Sequence, residues 1–430
     1  MTGTRINFSP TTLAKQLCWI AVAMAPMDAS LMLGFSLVPG FEISWSRFVL
    51  IVAVVITLLA AAITKRVIVG SRTWYSRILI IWMLWSLASI MWAVEPITAL
   101  RSGFKLTVLL VVVWMSSVLH RARTADQAVL CILCISVLAG LVEEFTGYRP
   151  YASRQHEFAH VITGFYINPA HLGGTLALGF PWLMRRVTRE SHRRTRLAYG
   201  LLCIVVVYIV IRTGTKGSLL GISVAGIASV FFAAYDVRIL LRGASAIMIS
   251  CLTGVIFISK GLIPPQVASM LRQLTSLFDP TAWYSGQGSF GSRWAVWQDG
   301  LMSVSRRPLI GFGVSSSEVV LGTMRAGQGT ASAHNIWIQL LIEGGIIGCG
   351  IFTASYVGLV FSLIRKVRMQ KDYESASTVL ASLLASIPIG ITVSNMMSLW
   401  MFWIILGIGL AEATESLRFP GQPSRDWVSL

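Results

Sequence analysis

Charge is scarce in this chain. Asp, Glu, Lys and Arg make up 12% of its 430 residues, about half the share found in a soluble domain. Hydrophobic residues make up 55% and mean hydropathy is +0.71, so water is excluded as the main solvent. Acids are the scarcer sign, 18 against 35 Lys and Arg. The formal charge of +17 does not point to nucleic acid, because the cations sit in short gaps between apolar runs and not on a solvated basic face. Cysteines are few, and all six (Cys18, Cys131, Cys134, Cys203, Cys251, Cys349) fall within apolar runs as small hydrophobes, which implies no disulfide framework. The Cys131-x-x-Cys134 pair lies inside a lipid-length helix, where packing outweighs redox chemistry. There is no Walker loop, dinucleotide fingerprint or recognisable Ser/His/Asp context, which argues against ATP-driven and hydride chemistry. Internal repeats are lacking too, and with them the usual sequence pointer to an alternating-access transporter.

What the chain has is apolar runs long enough to cross a bilayer. They fall near 14–36, 47–63, 78–94, 105–119, 127–146, 167–184, 197–212, 217–235, 244–262, 336–364, 375–394 and 396–413. The expected fold is an all-α integral membrane protein of about 12 spans. The first run, Leu17 to Leu37, reads as a retained signal anchor and not as a cleaved leader.

Alternate gaps are rich in cations: Lys65, Arg66, Arg72 and Arg77; Arg121 and Arg123; Arg185 to Arg196; Arg238 and Arg242; Arg365 to Lys371. By the positive-inside rule these gaps and both termini are cytoplasmic, as in a bacterial inner-membrane protein. The expected organisation is spans over 1–262, a periplasmic loop over 263–335 carrying the site, further spans over 336–413 and a cytoplasmic tail over 414–430. Within the loop, Ser285-Gly-Gln-Gly-Ser289 reads as irregular. Ser292 to Ser305 reads as an amphipathic helix stopped by Arg306-Arg307-Pro308.

Cations on the outer face run against the topology rule, so each needs a local reason to be there. Lys216 lies in Arg212-Thr-Gly-Thr-Lys-Gly, Arg293 opens the loop helix, and His334 stands at the mouth of the next span. Basic groups gathered at one membrane edge could cradle a diphosphate; snorkelling to lipid headgroups explains Lys216 and Arg293 equally well. His334 is a candidate general base, or else a capping histidine. Glu343, before Gly344-Gly345, is either a carboxylate at the cleft or part of close helix packing. Arg212 is a supporting candidate.

His156-Glu157-Phe-Ala-His160 matches H-E-x-x-H, with His171 the nearest third ligand, but it lies in a short loop where solvated residues are the better reading. No metal site is expected. Asp28, Glu143 and Glu144 would matter to a proton path in a solute transporter. Trp283, Tyr284, Trp294 and Trp297 either stack on sugars or anchor the loop, with anchoring favoured for at least half.

Three stretches carry a resemblance. They are Gly291-Ser-Arg293-Trp294-Ala-Val-Trp297, Pro308-Leu-Ile-Gly-Phe-Gly313, and Ala333-His334-Asn335-Ile-Trp-Ile-Gln-Leu-Leu-Ile-Glu343-Gly-Gly-Ile-Ile-Gly348. In order and spacing they resemble the O-antigen ligase and O-antigen polymerase family. Gly164-Phe-Tyr-Ile-Asn168-Pro169 and Thr213-Gly-Thr-Lys216-Gly217 resemble it more loosely, with Lys216 where the family usually shows arginine. The resemblance implies a glycosyltransferase that needs no nucleotide or other cofactor. Its donor would be an undecaprenyl-diphosphate-linked glycan and its acceptor a glycan or lipid core, with chain-length regulator and flippase proteins as partners. It implies that Arg293 and Lys216 hold the diphosphate and that His334 orients or deprotonates the acceptor hydroxyl.

Overall fold

The computed structural model describes residues 10–24, 32–38, 41–44, 49, 51–56, 73–121, 124–148, 161–166, 168–233, 288–324, 331–369, 373–392 and 398–415. The chain begins with α1 (Pro10–Met24) and an antiparallel hairpin, β1 (Met32–Val38) and β2 (Phe41–Ser44). The bundle follows: α2 (Trp74–Ala88) with a 3₁₀ turn to Trp92, α3 (Pro96–Arg121), α4 (Ala125–Thr146), α5 (Pro169–Arg189), α6 (Arg193–Arg212) and α7 (Lys216–Ala233). After these come α8 (Gly288–Val304), α9 (Ser317–Met324), α10 (Ile336–Met369), α11 (Glu374–Gly390) and α12 (Trp400–Glu415).

Among the described residues, helices coincide with the apolar runs from 78–94 to 217–235 and from 336–364 to 396–413, the start differs, and most of the run 47–63 lies outside the described residues. The run 14–36 is not one span: α1 stops at Met24, and β1 begins at Met32. Ala25 precedes Pro26, and a residue before proline is disfavoured in the α region. The two strands pair antiparallel, with Val38 opposite Phe41. The expected all-α description therefore needs a small hairpin added. The run 244–262 and residues 263–287 and 325–330 of the expected loop lie outside the described residues, as does Asp28.

Among the described residues, five helices are long and apolar enough to cross a membrane: Trp74–Trp92, Pro96–His120, Ala125–Thr146, Arg193–Arg212 and Ile336–Met369. The shorter apolar helices 216–232, 374–390 and 400–414 accompany them. α7 packs between α5 and α11, α12 lies against α3, and α2 against α10. At the centre the Trp82 ring stacks on Trp403 at 6.0 Å and meets Phe352 at 5.0 Å. Leu138, Leu201, Ile204 and Phe361 point outward and exposed, as lipid-facing side chains must. At one end of the bundle, Lys366 and His120 both pair with the buried carboxylate of Glu412, and Arg185 pairs with Asp126 at 3.2 Å.

A second, smaller core lies apart from the bundle core. Val296 of α8, Val320 and Leu321 of α9, Ala333, and Ile338 and Ile342 of α10 bury one another, with Trp297 and Phe312 packed alongside. This cap is built partly from a helix that also belongs to the membrane bundle. α10 has 34 residues, at 1.5 Å per residue roughly 50 Å, well beyond a hydrocarbon core of about 30 Å. It divides at Gly345, whose φ of 63° is not helical. The first part serves the cap, and the second, from Ile346, is long enough to span alone.

The break is filled by the chain that follows α8. Phe312 N–H donates to the Ile342 carbonyl at 2.8 Å and Gly313 N–H to the Glu343 carbonyl at 2.9 Å. In return, Ile346 N–H donates to Pro308 at 2.8 Å and Ile347 N–H to Leu309 at 3.2 Å. The Trp85 indole donates to the Gly344 carbonyl at 3.3 Å. Backbone groups released by a broken helix must find partners in a membrane protein, and here the loop 308–313 supplies them.

Candidate functional site

Three elements meet at the end of the bundle opposite Glu412: the α6–α7 turn, the start of α8, and the segment before α10. The turn is fixed by α4. Arg212 forks onto Glu144, Nε to Oε1 at 3.0 Å and Nη2 to Oε2 at 3.0 Å, while the Tyr208 hydroxyl donates to the same carboxylate at 2.8 Å. The neighbouring Glu143 carboxylate accepts the N–H groups of Thr163 and Gly164 at 2.8 and 2.6 Å, and the Arg212 carbonyl accepts from Ile162 at 3.2 Å. These two acids hold loops, and Arg212 holds the turn; none of the three is a bare charge facing a cleft. Gly214 supplies the left-handed turn residue at φ 65°. The first turn of α7 seats tightly, because Gly217 abuts the Thr392 hydroxyl and Gly173 of α5 abuts Thr215 and Ser218. Small residues at such contacts let helix backbones approach, and Lys216 is thereby placed at the helix start.

His334 sits in a left-handed conformation, φ 46°, which few non-glycine residues adopt. The next residue, Asn335, caps α10, its Oδ1 accepting from Trp337 N–H at 2.9 Å. On the preceding side, the Trp297 indole donates to the Ala333 carbonyl at 2.9 Å. Trp297 and Trp294 pack edge to face at 6.2 Å.

Arg293 lies close enough to Lys216 and to His334 for its charge to act on both. Burial lowers the Arg293 pKa. Burial first, and Arg293 second, lower that of Lys216. The same two causes push His334 down to about 4. Its imidazole is therefore neutral near pH 7, with a lone pair able to take a proton. Among the described residues no carboxylate pairs with Arg293. The arrangement sets two cations near a neutral base, a combination suited to an anionic leaving group and a hydroxyl nucleophile.

Glu343 is not part of this group. Its carboxylate is buried, 7% exposed, and accepts from the Ser317 hydroxyl at 2.7 Å and the Gln339 amide at 3.0 Å, as well as from the Ser315 backbone. It fastens the start of α9 to the broken helix, which is the packing alternative of its two sequence readings. Beside it, Trp82, Ser86, Ser89, Gln339 and Trp403 line a cavity of about 20 Å³, room for a single water. His171 occupies the first turn of α5; His156, Glu157, His160, Trp283 and Tyr284 lie outside the described residues. Sequence reasoning missed the roles of Glu144, as the partner of Arg212, and of Ser317, since both partnerships cross from one element to another.

No curated protein matches the chain. Residues 201–353, which contain the turn, α8, α9 and the break in α10, match the family model described as O-Antigen ligase. Members of that family are enzymes acting on glycans. Residues 201–353 are thus similar to the O-antigen ligase family, within a chain whose described helices include several long and apolar enough to cross a membrane.

Proposed function

We propose that the protein is a glycosyltransferase working at the periplasmic face of the bacterial inner membrane. In this reading the donor is an undecaprenyl-diphosphate-linked glycan and the acceptor hydroxyl belongs to a second such glycan. Polymerisation of an exopolysaccharide or O-antigen is placed ahead of ligation to a lipid core. The acceptor oxygen bonds to the anomeric carbon as the carbon–diphosphate bond breaks, and the acceptor proton passes to His334. Arg293 and Lys216 hold the charge that grows on the departing diphosphate, a task for fixed cations in a partly dry site. The reaction so described uses no cofactor and no metal.

The observation that carries this reading is that Arg293 lies within charge range of both Lys216 and a neutral His334. Arg212 and Glu343 enter as supports, the one for the Lys216 turn and the other for the cap.

The test is the size distribution of lipid-linked and surface glycans in a deletion strain carrying wild type, Arg293→Ala or His334→Ala at matched membrane levels. Single repeat units accumulating on the carrier in the deletion and both variants support polymerisation. Long carrier-linked chains that never reach their acceptor point to ligation. An unchanged glycan profile in the deletion strain sinks the reading.

A further inference from the structure

We propose that Trp297 is a positioning residue that sets the imidazole of His334 beside Arg293. The inference rests on the reading of His334 as the group that takes the acceptor proton. Arg293 and Trp297 are four residues apart on α8, so their side chains share a face. From that face the indole N–H reaches the Ala333 carbonyl at 2.9 Å. Ala333 is 2% exposed, and the carbonyl cannot turn to water for another partner without opening the cap.

The next residue along is His334, at φ 46°. Such a conformation persists in a non-glycine residue only where the surroundings over-determine it. Two constraints flank it: the Asn335 cap fixes the side toward α10, and the Trp297 bond fixes the side toward the cap. The helix that carries Arg293 therefore also sets the backbone that aims His334, and the two groups keep their spacing because one rigid element governs both. The indole does not stand apart as a platform for sugar: it packs against Trp294 and on the cap core.

The test uses the full-length protein in proteoliposomes with Trp297→Phe, which keeps an aromatic ring and loses the N–H. Trp294→Phe, on the same helix, is the comparison. Two quantities are read. One is glycan transfer, split into kcat and donor KM. The other is the pH midpoint for carbethoxylation of His334, followed by mass spectrometry, which needs no turnover. Expected for Trp297→Phe is a fall in kcat of about tenfold to a hundredfold, as for a misplaced reacting group, with donor KM within about twofold. The His334 midpoint is expected to rise from about 4 toward the unperturbed value of about 6.5. An unmoved midpoint overturns the proposal, whatever happens to kcat, and so does a wild-type kcat when His334→Ala is inactive. If His334→Ala itself transfers glycan at the wild-type rate, the reading of the site has failed, and the midpoint alone then decides whether Trp297 positions His334.

Discussion

Gly311 and Gly345 touch backbone to backbone: a Cβ on Gly311 would lie 2.5 Å from the Gly345 nitrogen and 2.6 Å from the Glu343 carbonyl oxygen. Both residues have positive φ, 66° and 63°. Alanine at Gly311 would meet the contact and the backbone strain together, a loss of about 2–4 kcal/mol. Gly350 lies farther along the same helix with open space around it, and Gly350→Ala is expected to be neutral or slightly stabilising. Thermal unfolding of the solubilised protein, followed by size exclusion, checks the contrast. Equal midpoints for the two variants would remove the splice as a source of stability.

Glu343 invites a functional assignment that its contacts argue against. Glu343→Gln keeps the shape and one carbonyl acceptor for Ser317, so transfer per folded molecule is expected to stay within a few-fold of wild type. Glu343→Ala strands the Ser317 hydroxyl and the Gln339 amide and is expected to cost about 1–3 kcal/mol, visible as reduced protein in the membrane. A Gln variant that is abundant and inactive would return the carboxylate to the chemistry.

The fork between Arg212 and Glu144 predicts coupling. Replacing either partner, as Arg212→Gln or Glu144→Gln, is expected to lower transfer by disturbing the turn that carries Lys216, and the double variant to be no worse than the poorer single one. Both side chains are partly exposed, at 31% and 18%, so the interaction energy in a double-mutant cycle should be modest, about 1 kcal/mol. Strictly additive losses would mean that the pair does not act as a unit.

His334 gives the pH dependence. Its pKa of about 4 lies below the unfolded value of about 6.5, so between those values the unfolded chain binds more protons. This group's contribution to stability is full above about pH 6.5 and is lost as pH falls toward 4. The acid limb of kcat/KM is likewise expected near pH 4. A limb near 6.5 that His334→Gln leaves in place would separate the activity from this imidazole.

Lys216 opens α7, and its environment is set by Gly217 against Thr392 and by Gly173 against Ser218. Lys216→Arg keeps the charge and adds a fork able to grip two phosphate oxygens; transfer within about tenfold of wild type is expected. Lys216→Ala is expected to raise the donor KM sharply. Steady-state kinetics with purified lipid-linked donor distinguish them, and an Ala variant with unchanged KM would take Lys216 off the diphosphate.

The described apolar helices from α2 onward could be read from the sequence, because an apolar run bounded by cations carries its own evidence. The loop helix around Arg293 was legible for a similar reason, its stop being written in Arg306-Arg307-Pro308. The first run misled: its hydropathy continues past Pro26, and hydropathy does not register that proline restricts the residue before it. The grouping of Lys216, Arg293 and His334 was legible only as a shared face, since topology fixes sides and not distances. The partnerships that shape the site, Arg212 with Glu144, Glu343 with Ser317 and Trp297 with Ala333, join residues 26 to 68 positions apart. No local pattern announces such pairs. Gly344-Gly345 was noticed as a packing motif, but a packing motif does not show that the helix opens there to admit another strand of chain.

The split role of α10 also dictates an order of assembly. Synthesis delivers α8, α9 and the 308–313 stretch before Ile338 and Ile342 exist, so the cap cannot close its core when its own helices first emerge. It must wait for the next helix to arrive. When that helix comes, its own opened backbone requires the waiting stretch as partner. Cap and span thus mature as a single late event, and a chain interrupted before Ile336 would present the cap helices with no core to fold around.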